Sequence, residues 1–429
     1  MWGLTFKRGV HPPSTKELTQ GIPVIKAPLP RLVIIPFIQH TGVPAKPIVE
    51  PNATVKAGTK IGELQGRISA NIHSSISGVV KSIEPRFHPV GITTLSAIIE
   101  SDGNDEWEQI EEQDVNGLTS SEIIERVKEA GIVGLGGAAF PTYVKLSPPP
   151  DKPVDLVILN GCECEPYLTS DYRLMLEHPS EILMGGRLIM QALNVNKGYI
   201  AIEDNKEEAI IKLRPLAPEF GFEVAVVQTK YPQGGEKQLI YAISGREVPI
   251  EGLPFDVGAY VQNVGTALAI YEACKFRKPL IERVVTVAGD VQEPKNLLVR
   301  IGTSFKELIE FCGGYRDEPE KIIMGGPMMG IAQPDDNVPV VKGTSGILVQ
   351  GKTSLPYDEP CIRCGSCIDA CAMGLLPAKI GDYVASGNFA LAKEFGLLDC
   401  IECGSCAWTC PSRRNLVHLF KYGKLKSRK

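Results

Sequence analysis

The pattern of hydrophobic and polar positions changes several times along the chain, and each change marks a predicted domain boundary. Residues 1–105 are rich in Pro, Val and Ile in short runs, which predicts a small β domain. From 106 to 275, apolar strand-like runs alternate with amphipathic segments, which predicts a parallel α/β sheet. Residues 280–335 predict a small α+β unit, and residues 350–429 contain most of the cysteines.

Particular segments carry the α/β prediction. Thr119 and Glu122 form a capping-box pattern at the start of a helix that Gly131 would end. The runs at Val154–Leu159, Tyr199–Ile202 and Val224–Val227 are short and apolar, as expected for buried strands. Strands separated by helices predict a Rossmann-like domain with a parallel sheet.

The N-terminal β domain resembles the barrel-sandwich of lipoyl and biotinyl domains at Val55–Gly62 and Ser77–Ile83. Those domains attach their cofactor to a lysine at a hairpin tip. The connecting segment Ser69–Ser74 contains no lysine. We therefore expect an unmodified scaffold domain rather than a swinging arm.

Composition narrows the class of protein. The chain has 429 residues, 43% hydrophobic and 22% charged, which predicts two to four globular domains. Its formal net charge of -5 gives no basic footprint for nucleic acid. No apolar run approaches the roughly 20 residues of a membrane span, and the N-terminus lacks the apolar segment of a secretory signal. We expect a protein of a reducing compartment that does not insert into the membrane.

The cysteines give the strongest chemical signal. Because the cytosol keeps thiols reduced, the 12 cysteines are not expected to form disulfides. Two Cys-x-x-Cys-x-x-Cys-x-x-x-Cys runs repeat, and Cys400 stands 39 positions after Cys361. Structural zinc usually pairs two Cys-x-x-Cys units across a longer loop, whereas this spacing is typical of [4Fe–4S] clusters. The sequence predicts two such clusters, with ligands Cys361, Cys364, Cys367, Cys371, Cys400, Cys403, Cys406 and Cys410.

The spacing also predicts that the two runs exchange their last ligand. A cysteine after three intervening residues normally ligates the other cluster in two-cluster ferredoxins. One cluster would then use the first three cysteines of the first run with Cys410, and the other the first three of the second run with Cys371. Pro377, Gly387 and Asn388 predict helix boundaries between the runs, so this domain should be mainly helical.

Two loops in the α/β domain are candidates for a ligand site. The first, Gly131–Thr142, is a glycine-rich loop that a flat ring or a phosphate could approach closely, with Lys145 nearby. A plain tight turn explains the same glycines equally well. The second, Asn160–Tyr167, follows a buried strand, where α/β sheets bind ligands.

These loops, with Tyr231–Glu236 and Gln262–Thr266, together resemble the flavin-binding subunit of respiratory complex I. The resemblance implies NADH near Phe140, Glu165 and Glu236. Leu135, Gly235 and Gln262 depart from the residues of that family. The resemblance to the complex I subunit also implies FMN held by Gly134, Gly136, Gly137, Lys145, Asn160, Glu163, Gly234 and Asn263.

Over its whole length the chain is similar to the C subunit of the Rnf complex, the membrane ion-translocating ferredoxin:NAD oxidoreductase. The twin cysteine runs carry that resemblance, together with Met324–Gly330 and an SLBB β-grasp module at Val284–Gly314. It implies a peripheral subunit on the cytoplasmic face of the cell membrane. Such a subunit would exchange a hydride between NADH and FMN and relay single electrons through the clusters to other subunits, including an iron–sulfur subunit, and indirectly to ferredoxin.

Two alternatives come from other classes of protein. One is a flavin-free iron–sulfur relay or scaffold subunit of the same type of complex, which the departures at Leu135 and Gly235 would permit. The other is a scaffold similar to the A subunit of the sodium-pumping NADH:quinone reductase. The eight clustered cysteines argue against the second, since that relative lacks them.

Overall fold

The computed structural model describes residues 4–352 and 359–427. Its N-terminal part is a sandwich of two antiparallel sheets, ordered β2-β8-β7-β4 and β3-β5-β6. Val33, Ile61, Ile72 and Ile99 share one core between them. The strands are β1 (Ile25–Lys26), β2 (Leu32–Pro36), β3 (Lys46–Pro47), β4 (Thr54–Val55), β5 (Lys60–Glu63), β6 (Ile72–His73), β7 (Gly78–His88) and β8 (Ile92–Ser101).

The segment that would carry a cofactor in a lipoyl-type domain is buried here. Asn71 and His73 are 1% and 8% exposed, and the Lys342 ammonium donates to the Asn71 carbonyl at 2.9 Å. A hairpin tip that serves as a swinging arm must reach solvent. The buried segment therefore supports the scaffold interpretation.

The second domain is a four-stranded parallel sheet ordered β11-β10-β9-β12, with helices on both faces. Val157 and Leu159 face one helical layer, while Leu156 and Ile158 face the other. Its elements are α1 (Ser120–Glu129), α2 (Thr142–Lys145), β9 (Leu156–Gly161), α3 (Ser170–Glu177), α4 (Pro179–Leu193), β10 (Gly198–Glu203), α5 (Glu207–Leu216), β11 (Phe222–Val227), α6 (Glu236–Ser244), β12 (Ala259–Asn263) and α7 (Val264–Phe276).

The predicted start of α1 is confirmed. The Thr119 hydroxyl accepts from the Glu122 amide at 3.3 Å, and the Glu122 carboxylate accepts from the Thr119 amide at 2.7 Å. Gly131 follows the helix with a φ of 63°, as expected for a residue that ends a helix.

A third unit has a six-stranded mixed sheet ordered β1-β14-β13-β17-β15-β16. A helix in this unit begins after Ser304, whose hydroxyl accepts from the Glu307 amide. The sheet runs past residue 335 because β17 pairs with β13 and β15, and it also includes β1 from the N-terminal part. Its further elements are β13 (Glu282–Gly289), β14 (Lys295–Arg300), α8 (Phe305–Phe311), β15 (Lys321–Met324), β16 (Ile331–Gln333) and β17 (Gly346–Gln350).

The described part of the cysteine region is helical, as predicted. The helix α10 starts at Pro377, Gly387 has a φ of 75°, and the Asn388 side chain caps α11 at 3.2 Å. In the part of the chain that the structure describes, no helix is both long and apolar enough to cross a membrane. The helices are α9 (Ser366–Ala370), α10 (Pro377–Ala385), α11 (Phe389–Glu394), α12 (Ser405–Trp408) and α13 (Leu416–Ser427).

A buried ion pair at the end of β10 makes a testable contribution to stability. Glu203 and Lys206 lie 2.5 Å apart, with side chains 1% and 3% exposed. Lys206→Met would leave a buried carboxylate without its partner, so we expect a loss of about 3–5 kcal/mol in the free energy of unfolding.

The exposed pair Glu125–Lys128 has the same three-residue spacing and is a matched control. Lys128→Met should cost at most about 1 kcal/mol, because solvent screens an exposed pair. Anaerobic urea unfolding of both variants measures the difference. Equal losses would contradict the assigned role of the buried pair.

Candidate functional site

The candidate site lies where the strand order of the parallel sheet reverses. The strand β9 is central, with β10 and β11 on one side and β12 on the other. Asn160 at the end of β9 is the register partner of Asn263 at the end of β12. Open α/β sheets bind ligands in the crevice outside the carboxyl ends of the strands at such a point.

The glycine-rich loop lies over the start of α7 at this edge. The Gly134 amide donates to the Phe140 carbonyl at 2.9 Å, and a Cβ on Gly136 would lie 3.2 Å from Asn263 Cβ. The Leu135 amide donates to Thr266 in α7. Gly137 has a φ of 124°, and a Cβ there would meet no atom within 4 Å. The loop therefore presents open backbone above the sheet edge.

The Asn160 loop contacts the Gly234 segment directly. The Asn160 amide group donates to the Gly234 carbonyl at 2.9 Å. A Cβ on Gly234 would lie 2.4 Å from the Cys162 carbonyl oxygen, so the backbones pack too closely for a larger residue. The tertiary structure thus brings two sequence-distant loops together at the sheet edge.

Glu163 is buried, and its carboxylate is used within the protein. It accepts from the Ser170 hydroxyl at 3.2 Å and from the Asp171 amide at 2.8 Å, at the start of α3. Asp171 in turn accepts from the Asn263 side chain at 2.6 Å. Burial, and then the charge of Glu163, raise the pKa of Asp171 to about 7. No sequence motif distinguishes Asp171 as a residue of the site.

Lys145 and Glu236 face each other on the other side of the crevice. Their charged atoms lie 3.3 Å apart, and the Lys145 ammonium also donates to the Val261 carbonyl at 2.7 Å. The ammonium stands 5.1 Å from the Tyr260 ring centroid. The Glu236 side chain is 42% exposed, so its carboxylate can meet a ligand from solvent.

Glu165 points away from this group, toward the third unit. Its two carboxylate oxygens accept from the amides of Met328 at 3.0 Å and Met329 at 2.7 Å. Burial raises the pKa of Glu165 to about 7, although these two hydrogen bonds act to lower it. The structure therefore engages both oxygens of Glu165 with the protein backbone.

The described residues fit a bound flavin mononucleotide. The Cβ position of Gly137 is open space, so a flat ring or a phosphate could approach the backbone there closely. The first turn of α7 offers backbone amides beside the glycine loop, and helix N-termini favour anions. Lys145 supplies a positive charge at the same edge.

The thiols of the second cysteine run gather around a small cavity. Burial, and then the charges of Cys400, Cys403 and Cys371, raise the pKa of Cys406. Thiolates held this close need a compensating positive charge, which the irons of a cluster supply. The thiols that line this cavity are Cys371, Cys400, Cys403 and Cys406.

Cys367 of the first run lies close enough to Cys410, the last cysteine of the second run, for the two thiols to influence each other electrostatically. Burial raises the pKa of Cys367, and the charges of Cys410 and then Cys361 raise it further. Cys364 of this run is exposed, whereas Cys406 at the other set is 7% exposed. The two thiol groups therefore have different access to solvent.

The cysteine domain contacts the candidate loops of the α/β domain, called the flavin-site loops below, through Cys403, and it contacts the helix α6 through Met373. The Tyr231 hydroxyl donates to the Cys403 carbonyl at 2.7 Å, and the Gln238 amide donates to Met373 Sδ at 3.1 Å. Nothing in the sequence marked Tyr231 as a contact to the cysteines. An apolar cluster surrounds this junction, formed by Val10, Cys164, Tyr231, Met328, Ala370 and Cys403.

Fold and site together define a modular electron-transfer protein, in which a flavin-type α/β domain adjoins a domain built on two cysteine runs. Family models match along the chain in the same order. They are the RnfC barrel sandwich hybrid domain at residues 4–104, the Nuo51 FMN-binding domain at 127–272, the SLBB domain at 284–332 and the 4Fe-4S dicluster domain at 360–414.

Full-length relatives agree with these matches. The chain is 47% identical to the C subunit of the proton-translocating ferredoxin:NAD(+) oxidoreductase complex of Clostridium ljungdahlii, covering 99% of this chain and 94% of the relative. It is 44% identical to the C subunit of the Na(+)-translocating complex of Acetobacterium woodii, covering 98% and 96%. The chain belongs to the RnfC family, the C subunits of the Rnf ion-translocating ferredoxin:NAD oxidoreductase complexes.

A solved NAD+-reducing [NiFe]-hydrogenase shares the fold, with a TM-score of 0.51 and 18% identity over 70% of this chain and 60% of that one. The predicted multidomain α/β fold class is confirmed. The predicted cofactors are FMN and [4Fe–4S] clusters, and the matching domain families confirm both. The individual ligand residues remain predictions.

Gly137 tests the flavin site. A Val at a φ of 124° is strained by about 1–3 kcal/mol, and the loop must shift to relieve it. Since 1.4 kcal/mol is tenfold in affinity, we expect Gly137→Val to bind FMN about tenfold more weakly. Flavin content and flavin fluorescence measure this effect.

Gly103 is a matched control, because it has a φ of 80° and an equally open Cβ position but lies outside the α/β domain. Gly103→Val should keep its flavin. Full flavin content and unchanged NADH oxidation in Gly137→Val would show that the glycine loop is not at the flavin.

Proposed function

We propose that this chain is the electron-entry subunit of its complex, where NADH and FMN exchange a hydride and single electrons pass through the two clusters. FMN, when bound, converts a two-electron hydride transfer into one-electron steps. The protein supplies binding, orientation and electrostatics. The observation that carries the proposal is the contact of the flavin-site loops with the second cysteine run, from Tyr231 to Cys403.

The crevice at the end of β9 and β12 divides between the two ligands. We propose that Phe140 and Glu236 lie beside NADH, because Glu236 is exposed at the outer side of the crevice. Glu163 supports the site indirectly by holding the start of α3. The proposed FMN contacts are Gly134, Gly136, Gly137, Lys145, Asn160, Gly234 and Asn263.

The positions of the two thiol sets suggest the order in which electrons pass through the two clusters. One set consists of Cys371, Cys400, Cys403 and Cys406, and it adjoins the flavin-site loops through Cys403. We therefore propose that the cluster bound by this set receives electrons first. The cluster bound by Cys361, Cys364, Cys367 and Cys410 would pass the electrons on, since Cys364 is exposed to solvent. We propose that the receiving partner is an iron–sulfur subunit, with ferredoxin acting beyond it, at the cytoplasmic face of the membrane.

Anaerobic titration with NADH tests this function. The purified chain should contain about one FMN and two clusters, and NADH should bleach the flavin absorbance and then the cluster absorbance. The alternative is a flavin-free iron–sulfur relay. A preparation with full iron content but no flavin, even after incubation with FMN, would favour that alternative.

Glu236 should contribute to a preference for NADH over NADPH. Its exposed carboxylate would repel an additional 2′-phosphate, and no arginine in the candidate loops can receive one. We expect Glu236→Gln to narrow the preference about tenfold, which corresponds to about 1.4 kcal/mol. The ratio of kcat/KM for the two nucleotides measures this change.

Glu310→Gln is a charge-matched control, because Glu310 lies on α8 in the third unit, outside the candidate loops. It should leave the ratio unchanged. Equal use of NADH and NADPH by the unmodified chain would remove the electrostatic argument altogether.

The crossed thiol sets predict which variants lose the same cluster. Cys371→Ser should lose the spectroscopic signal that Cys403→Ser loses, and Cys410→Ser should lose the signal that Cys364→Ser loses. Anaerobic EPR of the reduced variants compares the four. If Cys410→Ser instead matches Cys403→Ser, each run ligates its own cluster and the crossed assignment is wrong.

A further inference from the structure

The Met324–Gly330 segment is a tight turn that the flavin site does not explain. It links β15 to β16, and the Gly330 amide donates to the Gly326 carbonyl at 3.0 Å. A Cβ on Gly330 would lie 2.2 Å from that carbonyl oxygen, and Gly325 has a φ of 98°. The glycines are therefore needed to close the turn, and its closure sets the direction of its tip at Met328.

One side of the tip binds Glu165. The amides of Met328 and Met329 donate to different oxygens of the carboxylate, at 3.0 and 2.7 Å. A Cβ on Gly326 would lie 2.3 Å from Glu165 Oε2, so the turn fits closely against the carboxylate. When Glu165 is ionised these hydrogen bonds are charge-assisted, which makes them roughly twice as strong as neutral ones.

The other side of the tip packs against the second cysteine run. A Cβ on Gly404 would lie 2.7 Å from the Met328 carbonyl oxygen, and Gly404 has a φ of 82°. Gly404 directly follows Cys403 in the chain, and Met328 also joins the apolar cluster that contains Cys403 and Cys164. Met328 is thus held between Glu165 and the backbone of the thiol loop.

We propose that Glu165 and the Met324–Gly330 turn form a clamp that fixes the second cysteine run against the loop that follows β9. Glu165 is a positioning residue in this clamp, acting on the thiol loop through Met328. The proposal rests on the proposed function in one respect, namely that Cys403 and Cys406 ligate a cluster. It differs from the expectation that Glu165 lies beside NADH.

The clamp matters because electron transfer weakens steeply with the distance between donor and acceptor. Glu165 follows Cys164, and the Gly234 amide donates to Cys164 Sγ at 3.4 Å. One short stretch of chain therefore contacts both the flavin-site segment and, through Met328, the thiol loop. Releasing the clamp would let the distance between the flavin-site segment and the thiol loop vary.

Glu165→Gln tests the clamp. A carboxamide keeps one acceptor oxygen, and its NH2 group would face a second backbone amide, so one hydrogen bond is lost and the turn loosens. We expect a changed EPR spectrum for the cluster that Cys403→Ser removes, and faster hydrogen exchange at residues 400–406. Transfer of electrons from flavin to that cluster should be slower than in the unmodified chain, because the distance between them is no longer fixed.

Gly326→Ala disturbs the same contact and keeps the carboxylate, because its methyl group would press on Glu165 Oε2. It should reproduce the spectral change of Glu165→Gln. Gly117→Ala is the control, since Gly117 has no neighbour within 4 Å of a Cβ and needs no positive φ. If both clamp variants show the same spectral change, a folding defect in one of them does not account for it.

Three outcomes are distinguishable. A changed spectrum in both clamp variants, without a rise in the NADH concentration for half-maximal flavin reduction, supports the clamp. A rise in that concentration in Glu165→Gln with an unchanged cluster spectrum would identify Glu165 as a nucleotide contact and overturn the proposal. If Cys403→Ser itself leaves both cluster signals intact, the ligand assignment in the proposed function fails, and the clamp proposal fails with it.

Discussion

The pairing of β12 with β9 is the interaction on which the candidate site depends. It places Asn263 opposite Asn160, although the two residues are far apart in the chain. The strands β10 and β11 lie on the other side of β9, so the crevice opens where the strand order reverses. Without this pairing the start of α7, on which the glycine loop rests, would not lie beside the end of β9.

Buried charges hold this edge of the sheet together. Glu163 accepts hydrogen bonds at the start of α3, Asp171 binds the Asn263 side chain, and Glu203 pairs with Lys206. A buried charge is tolerated only when it is paired and hydrogen-bonded. Two acids that the resemblance implies as ligand contacts, Glu163 and Glu165, accept hydrogen bonds from the protein backbone, whereas the Glu236 side chain is 42% exposed.

The two cysteine runs are nearly identical in sequence but differ in environment. The second run packs on Tyr231 and on the turn at Met328, and Cys406 is buried. Cys364 in the first run is exposed. Burial, hydrogen bonding and solvent exposure tune the potential of an iron–sulfur cluster. The two similar motifs therefore lie in unequal environments, one against the α/β domain and one with an exposed thiol.

The sequence by itself determined the features that depend on local spacing. The capping box at Thr119, the helix boundaries at Pro377 and Asn388, and the cysteine runs each follow from residues close together in the chain. The tertiary structure alone decided that Tyr231 contacts Cys403 and that Glu165 binds the turn at Met328. Those contacts join segments more than 160 positions apart. A backbone amide or carbonyl carries no residue-specific signal, so sequence patterns do not reveal which side chain it will meet.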